Sequence, residues 1–352
     1  MQNYQKIEKE DLNEIYKNFK SKKKLNNKNI LITGFNGFLG KYIVRFLIEY
    51  KDKLKWKHLI LVDNFKLNTK EDGRIKNTKN ISLIKSDIAN LNLNKKEFDK
   101  IDFIMHMASI ASPHFYRKFP LETISANVDG LKKLLEKYKN KKTKILYFSS
   151  SEIYGDPPRK QIPTKETYWG NVSSTGPRSC YDESKRFCET LCYYYSQKFK
   201  ICIKVVRPFN NFGPGMKLDD KRLPADLAKA ILSNKQIKLY SDGKPKRSFC
   251  YITDAVTGYF QALTYDKFDI FNIGNDKNEI SVRNLTKLYV KVGKKLFDYN
   301  KDVVFVKSKD PEYLINNPNR RCPNIDKARQ LLHYRPKVSL DQGIERFLIY
   351  NS

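Results

Sequence analysis

Short apolar runs punctuated by polar or glycine positions recur along the first two thirds of the chain. They fall at Ile30–Thr33, His58–Val62, Ile81–Lys85, Phe103–His106, Lys144–Ser149 and Ile201–Val206, and are short enough to read as strands. Between them, Phe38–Tyr50, Leu121–Tyr138 and Tyr181–Lys198 repeat apolar residues at helical spacing. Apolar strands alternating with amphipathic helices predict βαβ units, because a parallel sheet needs a helical crossover after each strand and a helix layer on each face. The expected class is α/β, a doubly wound parallel sheet with a smaller α/β lobe at the C-terminal end.

Outside that regular stretch the pattern changes. Residues 1–27 are polar, with a Lys22–Lys24 run and a weak helical repeat in Leu12, Ile15, Tyr16 and Phe19. They read as an added arm, a helix lying on a surface. The connection Gly155–Cys180 carries Pro157, Pro158, Pro163, Gly170, Gly176 and Pro177, and a loop of that length inside a compact domain is usually functional. Beyond Arg207 the elements shorten. The division expected is an arm at 1–27, a nucleotide-binding domain at 28–207 with a returning segment near 248–273, and a substrate lobe at 208–247 and 274–352.

Composition narrows the class. With 352 residues, 40% hydrophobic and 13% aromatic, the chain can bury a sizeable core. Its longest apolar runs, such as Ile101–Met107, fall far short of the ~20 residues that span a bilayer. The polar, Lys-rich start has no apolar stretch typical of a secretory leader, so a soluble, cytoplasmic protein with no membrane partner is expected. A formal net charge of +30 would suit a nucleic acid, an anionic surface or a phosphate-bearing substrate. The basic residues are spread through nearly every segment, however, which fits a lysine-biased composition better than a nucleic-acid partner. Six cysteines without a C-x-x-C pair and four dispersed histidines argue against a metal site or a disulfide framework.

Two constellations carry chemistry. In the first, the strand at Ile30 runs into Gly34-Phe35-Asn36-Gly37-Phe38-Leu39-Gly40 and a helix start. Glycines at three-residue intervals let the turn close, let backbone N–H groups reach a pyrophosphate and let helix pack on strand. Following a strand and opening a helix, this is the context of a Rossmann-type dinucleotide turn. Asp63 and Asn64 end the next strand, where a carboxylate hydrogen-bonds a ribose 2′-OH and repels a 2′-phosphate, favouring NAD over NADP. Asp87 and Ile88, after the third strand, are placed at the adenine end.

In the second, Tyr181 and Lys185 stand one helical turn apart on one face. A tyrosine of ordinary pKa near ~10 is a poor base at neutral pH; a neighbouring ammonium and a nicotinamide cation would favour its phenolate. Ser150, Ser151 and Glu152 follow a strand at the sheet edge where ligands bind, adding hydroxyls for proton relay and a carboxylate for acid–base work.

With these residues in place the chain resembles the extended short-chain dehydrogenase/reductases that modify nucleotide sugars, the UDP-glucuronate decarboxylases in particular. The resemblance runs over roughly residues 28–350. It rests on His106–Pro113, Ser151–Pro157, Glu166–Val172 leading to Gly176–Glu183, Arg207–Asn210, Arg247–Tyr251 and Arg320–Ile325. It implies that Tyr181 takes the proton of the sugar C4 hydroxyl, with Ser150 bridging, and that Lys185 holds the nicotinamide ribose. Glu152 and Arg321 would assist at the sugar ring and its carboxylate. The 4-keto sugar so formed would lose carbon dioxide and regain hydride from the retained cofactor.

The same resemblance adds Met107, Ala108, Ser109 and Asn127 to the NAD set. For the substrate it implies Pro113, Tyr116 and Ser151, together with Asn210, Arg222, Tyr240 and Arg247. It further implies a homodimer in which two long helices of each subunit form a bundle. Two alternatives stay open. One is a C4 dehydrogenase, 4-epimerase or 4,6-dehydratase on another nucleotide sugar. The other, more remote, is a non-catalytic polyanion-binding member of the fold, for which Tyr181, Lys185, Ser150 and Glu152 together would have no use.

Overall fold

The structure is a computed structural model and describes residues 3–308, 310, 312 and 315–352. Its centre is a parallel sheet of β1 (Asn29–Thr33), β2 (His58–Asp63), β3 (Ile81–Lys85), β4 (Phe103–His106), β5 (Lys144–Phe148), β6 (Cys202–Pro208) and β7 (Asp269–Ile273), in the order β7-β6-β5-β4-β1-β2-β3. Every neighbouring pair is parallel. The expected doubly wound sheet is therefore present. The strand order reverses between β1 and β4, and at such a switch point the C-terminal strand ends open a crevice for a ligand. β6 runs on to Pro208 because Arg207 and Pro208 pair with Asn272 and Ile273 of β7.

The sheet's pleat sorts its side chains onto two faces. Ile30 and Ile32 of β1 point into one apolar core, shared with α1 (Asn3–Asn18) and α2 (Phe38–Glu49). Leu31 points into the other, under α3 (Pro120–Tyr138) and α4 (Ser179–Phe199). β3 is the sheet edge and only half-buried.

Residues 3–27 lie deeper than a surface arm. Leu12, Ile15 and Phe19 are buried in the main core. Asp11, itself fully buried, accepts hydrogen bonds from the Tyr42 hydroxyl of α2 (2.9 Å), from the Tyr251 hydroxyl (2.6 Å) and from Arg346 Nη1 (2.6 Å). A repeat that looked weak because only one narrow stripe is apolar is thus a core element.

The remaining segments build the smaller lobe around α5 (Leu223–Leu232), α7 (Val282–Phe297) and α8 (Leu340–Asn351), whereas α6 (Ile252–Leu263) packs on the central sheet beside α1 and α2. A small sheet pairs Lys246–Ser248 with Arg320–Arg321 in parallel, which sets Arg247 directly beside Arg321. Among the described residues no helix is long and apolar enough to cross a membrane.

Candidate active site

A cavity of about 800 Å³ opens above the C-terminal ends of the central strands and is roofed by the smaller lobe. At its cofactor end the three glycines do different work. A Cβ on Gly34, whose φ is +73°, would come 2.6 Å from the Ala108 backbone. One on Gly40 would come 2.5 Å from the Phe35 carbonyl oxygen, so both are needed for packing. A Cβ on Gly37 would meet only the Gly34 oxygen at 3.4 Å. The N-terminus of α2 is therefore open on that side, as a pyrophosphate requires. Phe38, Leu39 and Met107 line the cavity there, and Ser109 lines it with a hydroxyl that has no hydrogen-bond partner among the described residues.

Asp63 accepts from the backbone N–H groups of Asn36 (3.0 Å) and Phe65 (2.8 Å). Burial nonetheless pushes its carboxyl upward, those two bonds offsetting only part of the effect. Asn36 donates through its side chain to the Asn68 carbonyl (2.6 Å), and its Oδ1 is buried with no partner among the described residues. Asn64 donates to Asp87 (2.9 Å), which also caps Ala89. Ile88 packs into the core under Gly130 rather than into the cavity. Asn127 is buried and ties α3 to α4 through Ser184 Oγ (2.8 Å). An open glycine, a backbone-held Asp63 and buried polar atoms still without partners fit a dinucleotide.

Tyr181, in the first turn of α4, is buried, and both it and Ser150 line the cavity. Burial pushes its phenol up to about 12, while the neighbouring Ser150 side chain and the charge of Arg222 pull it back. Lys185 follows one turn on, with its ammonium donating to the Phe148 carbonyl (2.7 Å) and brought down to about 8 by burial. The cation that most opposes the rise of Tyr181 is thus Arg222 rather than Lys185. Ser150 also accepts from the Glu152 N–H (3.1 Å), anchoring the turn Ser151–Tyr154 that presents Glu152. Tyr116 stacks flat on Tyr181 with ring centroids 5.1 Å apart.

Glu152 is the centre of a charge cluster. Both guanidinium ends of Arg321 donate to it, Nη2 at 2.9 Å, and Arg178 donates to the same carboxylate. Burial alone would raise Glu152, but Arg178 and Arg321 outweigh it and hold the carboxyl well below its usual range. Asp182, 3.6 Å from Arg178 Nε, is lifted to about 7 by burial and then by the Glu152 charge. Arg247 donates to Asn317 Oδ1 (3.1 Å) and is pressed down to about 9 by burial and the neighbouring Arg321.

The other expected substrate residues, Pro113, Ser151, Asn210, Arg222 and Tyr240, all line the same cavity. Asn210 donates to the Ser248 carbonyl (2.9 Å), and Arg222 pairs with Asp220 (2.9 Å). Sequence reasoning did not single out Arg178 or Asp182. Their spacing from each other (i, i+4) and Arg178's place three residues before Tyr181 were the available signal. Among the described residues no cluster of His, Cys, Asp or Glu is arranged to hold a metal ion.

The NAD dependent epimerase/dehydratase family profile matches residues 30–274. The chain is 35% identical over 320 residues to UDP-glucuronic acid decarboxylase 1 of Arabidopsis thaliana, covering 91% of this chain and 68% of that one. It is 34% identical over 318 residues to UDP-glucuronic acid decarboxylase 6 of the same plant, covering 90% and 87%. The structure of UDP-glucuronic acid 4-epimerase from Bacillus cereus, in complex with UDP-glucuronic acid and NAD, superimposes with a TM-score of 0.73. That match is 28% identical and covers 92% of this chain and 98% of that one.

Proposed function

The chain belongs to the NAD dependent epimerase/dehydratase family, and we propose that it decarboxylates UDP-glucuronate to UDP-xylose through a 4-keto intermediate. The observation that carries this reading is the pair of guanidiniums, Arg178 and Arg321, closed on one carboxylate beside Tyr181. A neutral hexose has no group for such a seat, whereas the C6 carboxylate of a uronate does. The names of the similar decarboxylases and of the epimerase structure with bound UDP-glucuronic acid support the same substrate.

When bound, NAD supplies reversible hydride acceptance at the sugar C4. Tyr181 receives the C4 hydroxyl proton through or beside Ser150, and Arg222 favours its phenolate. Oxidation at C4 leaves a ketone β to the carboxylate. As the C5–C6 bond breaks, carbon dioxide leaves and the C4 oxygen takes the electron pair, with Tyr181 and Ser150 placed to hydrogen-bond that oxygen; a proton taken up at C5 and hydride returned to C4 would complete the xylose. Lys185 holds the ribose side, and Asn210, Arg222 and Arg247 take the nucleotide diphosphate. In this reading residues 28–207 and 248–273 carry the cofactor, and the lobe of 208–247 and 274–352 carries the sugar nucleotide.

The protein acts as a cytoplasmic homodimer in the same reading. Leu121 and Ile124 of α3 and Phe187 and Tyr194 of α4 are exposed large apolar residues on two helices that pack together, which supports a four-helix contact, and the cysteines among the described residues are unpaired. Mass spectrometry and proton NMR of the purified protein with UDP-glucuronate and NAD test the activity. A UDP-pentose with release of carbon dioxide is expected. Unchanged substrate, or a C4 epimer of unchanged mass, overturns it, the second outcome favouring the epimerase alternative.

A further inference from the structure

Arg178 has a place in the site that pairing with Glu152 does not exhaust. It stands at the N-cap position of α4, donates to Glu152 Oε2, faces Asp182 Oδ2 at 3.6 Å and lies 5.9 Å from the ring centroid of Tyr116. Tyr116 in turn is stacked on Tyr181. One guanidinium thus spans the distance from the acidic residue of the site to the aromatic pair that contains its candidate base.

The charge balance around it is uneven. Arg178, Arg247 and Arg321 meet here, Arg247 and Arg321 as direct cross-strand neighbours. The carboxylates closest to Arg178 and Arg321 are Glu152 and Asp182, with Asp156 acting on Arg247, and Asp182 is raised by burial and by the Glu152 charge. Arg247, pressed toward its neutral form by burial and by its neighbours' charge, reports the same excess. The Nε groups of Arg178 and Arg321 are both buried and have no hydrogen-bond partner among the described residues. Buried guanidiniums are costly unless an anion faces them, so the two arginines require a carboxylate in this seat whether or not a sugar is bound.

Resting on the uronate reading above, we propose that Arg178 is a specificity residue: with Arg321 it forms the seat of the sugar carboxylate, and Glu152 fills that seat when no sugar is bound. Glu152 is the most exposed of the four charged side chains in the clamp, at 22% against 12% for Arg178, 7% for Asp182 and 1% for Arg321. It is the member with room to move. Arg321 is fixed in the small sheet and Arg178 by the start of α4. Binding of a uronate is then an exchange of one carboxylate for another on two fixed guanidiniums. A neutral hexose has nothing to offer in exchange and leaves Glu152 where it is.

The exchange makes a prediction of unusual sign. Glu152→Gln removes the internal competitor while leaving both arginines, so the NAD-loaded variant should bind UDP-glucuronate about tenfold or more tightly than the unaltered protein does. Its affinity for UDP-glucose and UDP should stay the same. Arg178→Met should lose about ten- to a hundredfold in affinity for UDP-glucuronate alone, and Arg178→Lys should recover part of it.

Isothermal titration of the holoprotein with UDP-glucuronate, UDP-glucose and UDP reads all three. If Glu152→Gln weakens or leaves unchanged the binding of UDP-glucuronate, the exchange is overturned. If Arg178→Met weakens the three ligands equally, Arg178 only braces α4 and the specificity role is overturned; Arg178→Lys, which keeps the charge, guards against a folding defect. If the unaltered protein does not prefer UDP-glucuronate over UDP-glucose, the uronate reading itself fails, an outcome separable from the other two.

Discussion

The ring of Tyr116 lies flat against that of Tyr181, their planes 9° apart and their centroids 5.1 Å apart. The Tyr116 hydroxyl is buried and has no hydrogen-bond partner among the described residues. Its contact with Tyr181 is through its ring. Tyr116→Phe is expected to leave activity and stability within about 1 kcal/mol, since it removes only an unsatisfied polar atom. Tyr116→Ala should cost about 3–5 kcal/mol by opening a cavity and lower kcat by releasing Tyr181. Urea denaturation and steady-state kinetics on the two variants distinguish ring from hydroxyl.

Removing the acid–base group is the sharper test of the chemistry. Tyr181→Phe keeps the ring stack on Tyr116 but deletes the hydroxyl. The expected loss in kcat is about 10²- to 10⁴-fold, the usual contribution of a positioned proton-transfer group. Affinity for NAD, measured by titration, should be unchanged.

The glycine turn separates binding from folding. Gly37→Ala places its methyl at the start of α2, where its one neighbour is the Gly34 carbonyl oxygen at 3.4 Å. It should fold with an unchanged melting temperature and lose NAD affinity. Gly40→Ala would drive its methyl to 2.5 Å from the Phe35 carbonyl oxygen and should lower the melting temperature with or without cofactor. Calorimetry with and without NAD checks both.

Asp11 makes a pH-dependent contribution. Burial lifts its carboxyl to about 6 from the model-peptide value of 3.8, despite the opposing Tyr251 and Arg346. The folded protein therefore keeps a proton that the unfolded chain releases between those two values. This stabilisation is complete below about pH 4 and is lost as the pH rises through about 6. Asp11→Asn should flatten that part of the stability curve. Asp254, also raised to about 6 by burial, retains its own slope, so the measurement is the difference between two urea-denaturation series. Asp11→Ala at pH 7 strands Tyr42, Tyr251 and Arg346 and should cost about 3–5 kcal/mol.

Much of the framework was legible along the chain. The strands of the central sheet fell where short apolar runs stood between polar breaks, because a strand buried on both faces needs nothing but apolar side chains. The sequence brings a segment near 248–273 back to this domain but does not mark β7 within it as a strand. It is a short run lying next to β6 in space but 61 residues beyond its end in the chain, and the Arg207–Asn272 register reveals the pairing. The core role of α1 was hidden for a related reason. Its narrow apolar stripe looks weak until α2 and α8 supply the other walls, and the polar residue at its centre, Asp11, looks like a surface position until its three partners converge on it.

The sequence by itself determined the elements whose instructions are local: the glycine turn after β1, the acidic residue ending β2, and the Tyr181–Lys185 pair on one helix face. Each is set by neighbours within a turn or a strand length, where backbone geometry and side-chain periodicity leave few choices. Only the tertiary structure decided which charges meet. Glu152 and Arg321 stand 169 residues apart, Asp11 and Arg346 335 apart, and Arg247 reaches Arg321 through a strand pairing that no periodicity announces. A buried charge is stable only against a partner, and that partner is chosen by how the layers pack, so the sugar end of the site exists only once the sheet and the smaller lobe have closed on each other.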